Sequence, residues 1–223
     1  MPMRLNVPAA ATRDQILDAA ERLFAAQGFA RTTIKDIGRE AGVNSALLYY
    51  YFRDKESLYQ AVLDSLVREF VSRGMGRLDA PGTPEDRLRA FLAVIGDTFG
   101  GHPHFYRLIL RELIDYSATH AVEQVKLVST TMYRRLCELI EEGQRDGVFR
   151  ADLDPRFAAI SSVSAVAHFF TIRPIASVFL GHTAKGPPAN VVQAYVRHAS
   201  DFALAALMPP TRAARRTRQG AAR

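Results

Sequence analysis

An all-α fold of about nine helices is what this chain of 223 residues predicts, and three observations carry it. No run of useful length alternates apolar and polar residues as a half-buried strand does. Apolar residues recur instead at three- and four-residue spacing. Glycine, proline and short polar side chains fall between those stretches, where turns and helix caps need them.

The first helix is signalled by Thr12-Arg13-Asp14-Gln15, which has the form of a capping box with Thr12 at the N-cap. Ile16, Ala20, Leu23 and Phe24 form its apolar face, and Gly28 reads as a left-handed stop with Phe29 as its hydrophobic partner. A short helix follows, with Thr33 as N-cap, Asp36 in its first turn and Ile34 and Ile37 facing inward. Glu40-Ala41-Gly42-Val43 makes a tight turn, because Gly42 takes the positive φ that other residues resist. Asn44 caps a second short helix that runs to Phe52, and Asp54 caps a longer one carrying Leu58, Val62, Leu66 and Phe70. Two short helices joined by a glycine-containing turn form a helix-turn-helix over residues 33–52.

A breaker region is expected from Gly74 to Gly82. Thr83-Pro84-Glu85-Asp86 then restarts the pattern with a cap, a proline at the first helical position and acids in the first turn. His102-Pro103 opens a helix toward Tyr116, and a long one is expected from Thr119 to Gln144, stopped by Gly147. Asp154-Pro155 begins an apolar helix, Phe157 to Leu180, that Pro174 should kink. The last runs from Ala189 to Leu207, before Pro209-Pro210.

Bulk numbers exclude more than they assign. One cysteine, Cys137, forbids an intramolecular disulfide and fits a reducing cytoplasm. Neither a signal peptide nor a membrane-spanning stretch is expected, so no membrane partner is read. The net charge is +6, yet residues 1–72 hold nine basic and nine acidic side chains. The excess sits in the tail, residues 209–223, with Arg212, Arg215, Arg216, Arg218 and Arg223 and no acid; that tail reads as low in complexity and disordered. Charge alone therefore does not make the N-terminal region a nucleic-acid binder. The sequence contains no HExxH, GxSxG or Walker motif, and no paired ExxH carboxylate set, so it does not read as an enzyme. No cofactor or metal site is expected; His102 and His104 have no carboxylate or cysteine at ligand spacing and read as surface residues. Glu112 and Asp115 read as a solvated face.

Residues Arg13 to Leu63 resemble the DNA-binding domain of TetR-family regulators. The match lies in Ile16-Leu17-Asp18-Ala19-Ala20, Leu23-Phe24, Gly28-Phe29, Thr32-Thr33-Ile34, Asp36-Ile37, Ala41-Gly42-Val43, Leu48-Tyr49-Tyr50-Tyr51-Phe52 and Lys55-Glu56-Ser57-Leu58. The resemblance implies a DNA-binding domain over 10–70 and a helical ligand-binding and dimerisation domain over 71–208. It implies a cytoplasmic homodimer that binds a near-palindromic double-stranded operator as a repressor and answers to a small-molecule effector, apolar or aromatic. By the same resemblance, Thr33, Lys35, Asn44, Ser45, Ala46, Leu47, Tyr49, Tyr50 and Lys55 approach bases or phosphates. Each has a second reading. Tyr49 fits a core position as well as a phosphate contact, Asn44 serves as a cap alone, and Lys55 is either solvated or beside a phosphate. Family members often carry Ser or Thr where this chain has Leu47, and His in place of Tyr51. Leu47 either meets a thymine methyl or packs inward.

The family's effector site is placed among the middle helices, where Phe91, Ile95, Phe99, Phe105, Tyr106, Ile109, Tyr116, Met132, His168, Phe169 and Arg173 are candidates. Aromatic residues at such spacing also read as plain core. The last two long helices are apolar on most sides, which fits either a central core position or burial by a partner; the resemblance implies that they pair with their symmetry mates in a dimer. A helical adaptor that kept the fold without binding DNA is the competing reading, and an all-helical enzyme a more distant one.

Overall fold

The computed structural model describes residues 9–115, 118–183 and 185–210. Eleven α-helices and one π-helical turn are present among them, and no strand. They are α1 (Ala9–Arg31), α2 (Ile34–Ala41), α3 (Ser45–Tyr51), α4 (Lys55–Leu78), α5 (Pro84–Gly101), α6 (Pro103–Asp115), α7 (Val122–Val128), α8 (Arg134–Arg145), α9 (Pro155–Thr171), α10 (Arg173–Phe179) and α11 (Ala189–Leu207). The π turn, Ser129–Tyr133, links α7 to α8.

By packing, the described residues form two compact units, one drawn from 1–70 with 101–128, the other from 71–100 with 129–223. In the first, α1 lies along α6 and against α2. Ile16, Ala20, Phe24, Ile37, Leu48, Leu58, Tyr59, Leu63 and Leu108 make its buried core. In the second, α9 packs against both α8 and α11. Phe169 stacks on Tyr195 with ring centroids 4.1 Å apart, and Glu142 takes two guanidinium partners, Arg87 at 2.8 Å and Arg135 at 2.9 Å.

The caps form largely as their residues dictate. Thr33 accepts from the Asp36 amide (3.1 Å), Asn44 from Leu47 (2.8 Å), Asp54 from Ser57 (2.7 Å), Thr83 from Asp86 (3.1 Å) and Asp154 from Arg156 (2.8 Å). Each satisfies an amide that a helix start leaves open. Thr12 is an exception. The helix is already formed at Ala9, because the alanines ahead of Thr12 extend it, so Thr12 lies inside α1. Gly28 breaks α1 at φ 83° and ψ 167°, not in the left-handed helical region but in an extended mirror-image one that glycine alone adopts readily.

Three boundaries differ from expectation. No break occurs at Gly74 or Gly76, since α4 continues to Leu78. A Cβ on Gly74 would lie 2.5 Å from Met132 Sδ and 3.2 Å from Phe91, so this glycine serves a close approach and not a turn. The helix expected from Thr119 begins at Val122 and passes through the π turn at Ser129. Pro174 does more than kink its helix: α9 and α10 meet at 81°. Glu112 is also not solvated. It is buried, accepts the Tyr59 hydroxyl at 2.7 Å and the His120 amide at 3.2 Å, and lies 3.2 Å from His120 Nδ1. Burial on a helix face that packs inward requires such partners.

Candidate nucleic-acid interface

The helix-turn-helix is built from its interior outward. Ile37 on α2 and Leu48 on α3 are fully buried against Phe52, which ends α3 with its amide donating to the Leu48 carbonyl (2.9 Å). Gly42 turns the chain between the helices at φ 69° and ψ 25°, the left-handed geometry expected of it. The Val43 amide donates back to the Gly38 carbonyl at 2.9 Å. Gly38 is the element that residue patterns did not single out. A Cβ there would stand 2.9 Å from the Val43 carbonyl oxygen and 3.3 Å from Leu48 Cδ1, so its hydrogen side chain is what lets α2 approach the turn and α3 so closely.

With Leu48 inward, helical spacing turns the neighbouring positions to solvent. Ser45 and Ala46 are exposed, Tyr49 is 56% exposed and Tyr50 79%. Tyr49 is therefore not a core residue. Leu47 is half-buried. On α2, Lys35 is exposed, while the Thr33 hydroxyl is engaged with Asp36, donating to its carboxylate at 2.6 Å. That hydrogen bond holds the Asp36 carboxyl below the ordinary carboxylate range, and the adjacent Arg39 adds to it.

Lys55 opens α4, where a cation opposes the helix dipole. Its ammonium is held locally, donating to the Phe29 carbonyl at 2.9 Å and lying 4.3 Å from the centre of the Phe29 ring. Two further cations lie at this surface without having been singled out: Arg53, whose guanidinium pairs with Asp54 at 2.9 Å, and Arg13, which sits 5.4 Å over the Phe52 ring at the end of α3. Their signal in the sequence is only their nearness to the motif.

The residues expected at an effector site fall into both compact units. In the first, Phe105 and Tyr106 are buried and Ile109 half-buried. In the second, Phe91, Met132 and Phe169 are buried, Ile95 with them, Phe99 packs edge-on to Phe170, and His168 is exposed. Phe91 and Met132 meet at Gly74. The Arg173 Nε atom is buried without a hydrogen-bond partner among the described residues. Tyr116 lies outside the described residues, as does the arginine-bearing end of the tail. A groove of about 510 Å³ in the second unit is lined by Ser72, Arg73, Gly76, Arg77, Ala90, Ala93, Val94 and Asp97, none of them expected. No cluster of metal-ligating side chains occurs among the described residues, and no single helix there is long and apolar enough to cross a membrane.

A rigid pair of short helices offering the polar and aromatic side of the second to solvent defines a DNA-binding regulator of the helix-turn-helix class. Residues 16–62 match the family model of bacterial regulatory proteins of the tetR family, and residues 84–201 match that of the tetracyclin repressor-like C-terminal domain. The chain is 33% identical to the transcriptional repressor NicS of Pseudomonas putida over 76% of its own length and 80% of that protein's. It is 30% identical to the repressor KstR2 of Mycolicibacterium smegmatis over 65% and 71%. In fold it is similar to the fatty acid degradation regulator FadR of Bacillus halodurans, with a TM-score of 0.71, 19% identity, and coverage of 90% of this chain and 97% of that one. The chain belongs to the TetR family of transcriptional regulators.

Proposed function

We propose that the chain is a ligand-responsive repressor that binds a near-palindromic operator as a homodimer through α3. The observation that carries this reading is the division of α3 into a buried anchor, Leu48, and an outward face of Ser45, Ala46, Tyr49 and Tyr50. Asn44 and Lys35 supply polar contacts at the groove edge, and Tyr49, Tyr50 and Lys55 supply phosphate contacts, while Thr33, whose hydroxyl proton is given to Asp36, serves as the cap of α2. The ammonium of Lys55 keeps two N–H groups beyond the one given to Phe29. Leu47 meets a thymine methyl.

One short helix reads few bases, so two copies about 34–36 Å apart read two half-sites. The dimer forms through α9 and α11, which expose Phe157, Ile160 and Phe202. An apolar or aromatic effector binds residues of the domain 71–208 more tightly in the dimer geometry that misplaces the two recognition helices. Its differential affinity, about 1–3 kcal/mol in such systems, shifts the population off DNA. The protein acts by binding and not by turnover, in the cytoplasm. Footprinting on the DNA upstream of its own gene, with gel shifts over a range of salt, tests the reading. A protected two-fold site is expected, and no such site at any physiological salt concentration overturns it.

A further inference from the structure

We infer that the groove between α4 and α5 is a binding site for a small organic phosphate, a phosphate monoester whose body carries hydroxyl or amino groups. The site is separate from the effector reading above: none of the aromatic residues expected at an effector site lines this groove. Its volume, about 510 Å³, lies within the range of small-molecule sites.

Two guanidinium groups choose the charge of the occupant. Arg73 and Arg77 line the groove from α4 and form no hydrogen bond or ion pair among the described residues. Arg87, Arg135, Arg150 and Arg156 of the same unit each lie 2.8 Å or less from a carboxylate. Arg77 stands in the last turn of α4, where the helix dipole favours a cation. Arg73, a full turn earlier, has no such reason. Side chains four apart on a helix start about 5–6 Å from one another, so one anion between them is within reach of both. A phosphate monoester carries nearly two negative charges and matches the planar fork of each guanidinium.

Asp97 chooses the other end. It lines the same groove from α5, is exposed, and has no cationic partner among the described residues. The groove thus holds opposite charges that do not pair. A second anionic group would be repelled beside Asp97, whereas hydroxyl or amino groups would donate to it.

The floor between these charges is made of small side chains, Gly76, Ala90, Ala93 and Val94. Gly76 is informative. It has no positive φ, and a Cβ there would meet nothing within 4 Å. Gly74, by contrast, makes room for Met132. A glycine within a helix is less stable than alanine, and no contact inside the protein calls for this one. It leaves the floor open to the flat face of a ring.

Isothermal titration of the full chain with AMP and with glucose 6-phosphate, in a phosphate-free buffer at about 150 mM salt, tests the site. Saturable binding of either is expected, tighter than that of inorganic phosphate, and absent for adenosine and glucose. Arg73→Gln should weaken it by about tenfold, as loss of a charge-assisted hydrogen bond does, and Arg73→Gln/Arg77→Gln should abolish it. Tm should stay unchanged in both, since neither side chain holds a partner. Gly76→Leu should also abolish binding, by filling the floor without altering any charge. Asp97→Ala should weaken the monoesters while leaving inorganic phosphate no weaker. Monoester binding that survives Arg73→Gln/Arg77→Gln belongs to the arginine-rich tail or to the helix-turn-helix and overturns the site. Inorganic phosphate binding as tightly as the monoesters overturns the assigned class, and no binding of either monoester overturns the inference outright.

Discussion

Replacing Gly38 by alanine sets two effects of known sign against each other. Removing a glycine from a helix interior favours folding by up to about 1 kcal/mol. The new methyl carbon, however, would stand 2.9 Å from the Val43 carbonyl oxygen, a backbone atom that cannot swing aside as a side-chain end does. Forcing a methyl into such a contact costs about 1–3 kcal/mol. The net loss is about 0–2 kcal/mol, which in a chain of this size lowers Tm by no more than about 8 °C. Function should suffer more than stability. The displaced atoms are those of the turn that sets Asn44 and the start of α3, and base contacts worth about 1–3 kcal/mol each depend on that placement in both protomers. Operator affinity, measured by fluorescence anisotropy well below Tm, should fall at least tenfold, while affinity for random DNA, which needs no register, stays within twofold. Gly76→Ala is the control: its Cβ meets nothing within 4 Å, so it should raise Tm slightly and leave both affinities alone. If Gly38→Ala behaves as Gly76→Ala does, the close approach does not position the recognition helix.

Other perturbations address the remaining parts. Tyr50→Phe removes only a hydroxyl from a side chain 79% exposed; stability should stay within about 0.5 kcal/mol, and operator affinity measured by gel shift should drop several-fold. Lys55→Ala should reduce the dependence of log Kd on log salt by about one unit, since one phosphate contact is lost; an unchanged slope would assign Lys55 to no phosphate. Tyr59→Phe takes a 2.7 Å donor from buried Glu112 and should cost about 1–2 kcal/mol in urea unfolding. The Asp154 carboxyl is held at about 2 by the Arg156 guanidinium and then by backbone amides. Because that value lies below the ordinary 3.8, its contribution to stability is complete above about pH 4 and lost as pH falls toward 2. Asp154→Asn keeps a capping side chain and should flatten that limb of the acid-unfolding profile relative to the parent.

What could be read from sequence divides by how far away the cause lies. Thr33, Asn44, Asp54, Thr83 and Asp154 cap helices through amides two or three residues on, so a short window contains the whole reason. The outward face of α3 follows once Leu48 is placed inward, but Tyr49, which fits a core position as well by spacing, is shown to be exposed only by the structure. Gly74 was misread because its reason is Met132, a side chain 58 residues downstream; a glycine that admits a neighbour and one that ends a helix look alike in sequence. Glu112 was misread similarly, since Tyr59 and His120 reach it from other segments. Gly38 went unnoticed although its partner Val43 is near, because hydrophobic periodicity carries no information about backbone clearance. The candidate effector residues are the least legible, for a physical reason. Buried aromatics such as Phe91, Phe105 and Phe169 fill a core and line a pocket with the same chemistry.

The charge distribution bears on how such a domain achieves selectivity. The N-terminal 72 residues carry no net charge, and the cations nearest α3 are largely occupied within the fold. Arg39 pairs with Asp36, Arg53 with Asp54, and Lys55 is held at the Phe29 carbonyl. Of the lysines and arginines between residues 34 and 56, only Lys35 has no such partner among the described residues. Non-specific affinity comes from released counterions and scales with the number of phosphates neutralised, so the helix-turn-helix by itself should hold random DNA weakly. On the contacts proposed above, discrimination would come from those that depend on geometry: Asn44 and the fit of Ala46 and Leu47 against base edges, with the tyrosine hydroxyls fixing register on the phosphates. Contacts of that kind tolerate little displacement. A shift in recognition-helix spacing too small to disturb a charged surface would suffice to release the operator, and a modest coupling free energy from an effector is then enough to control transcription.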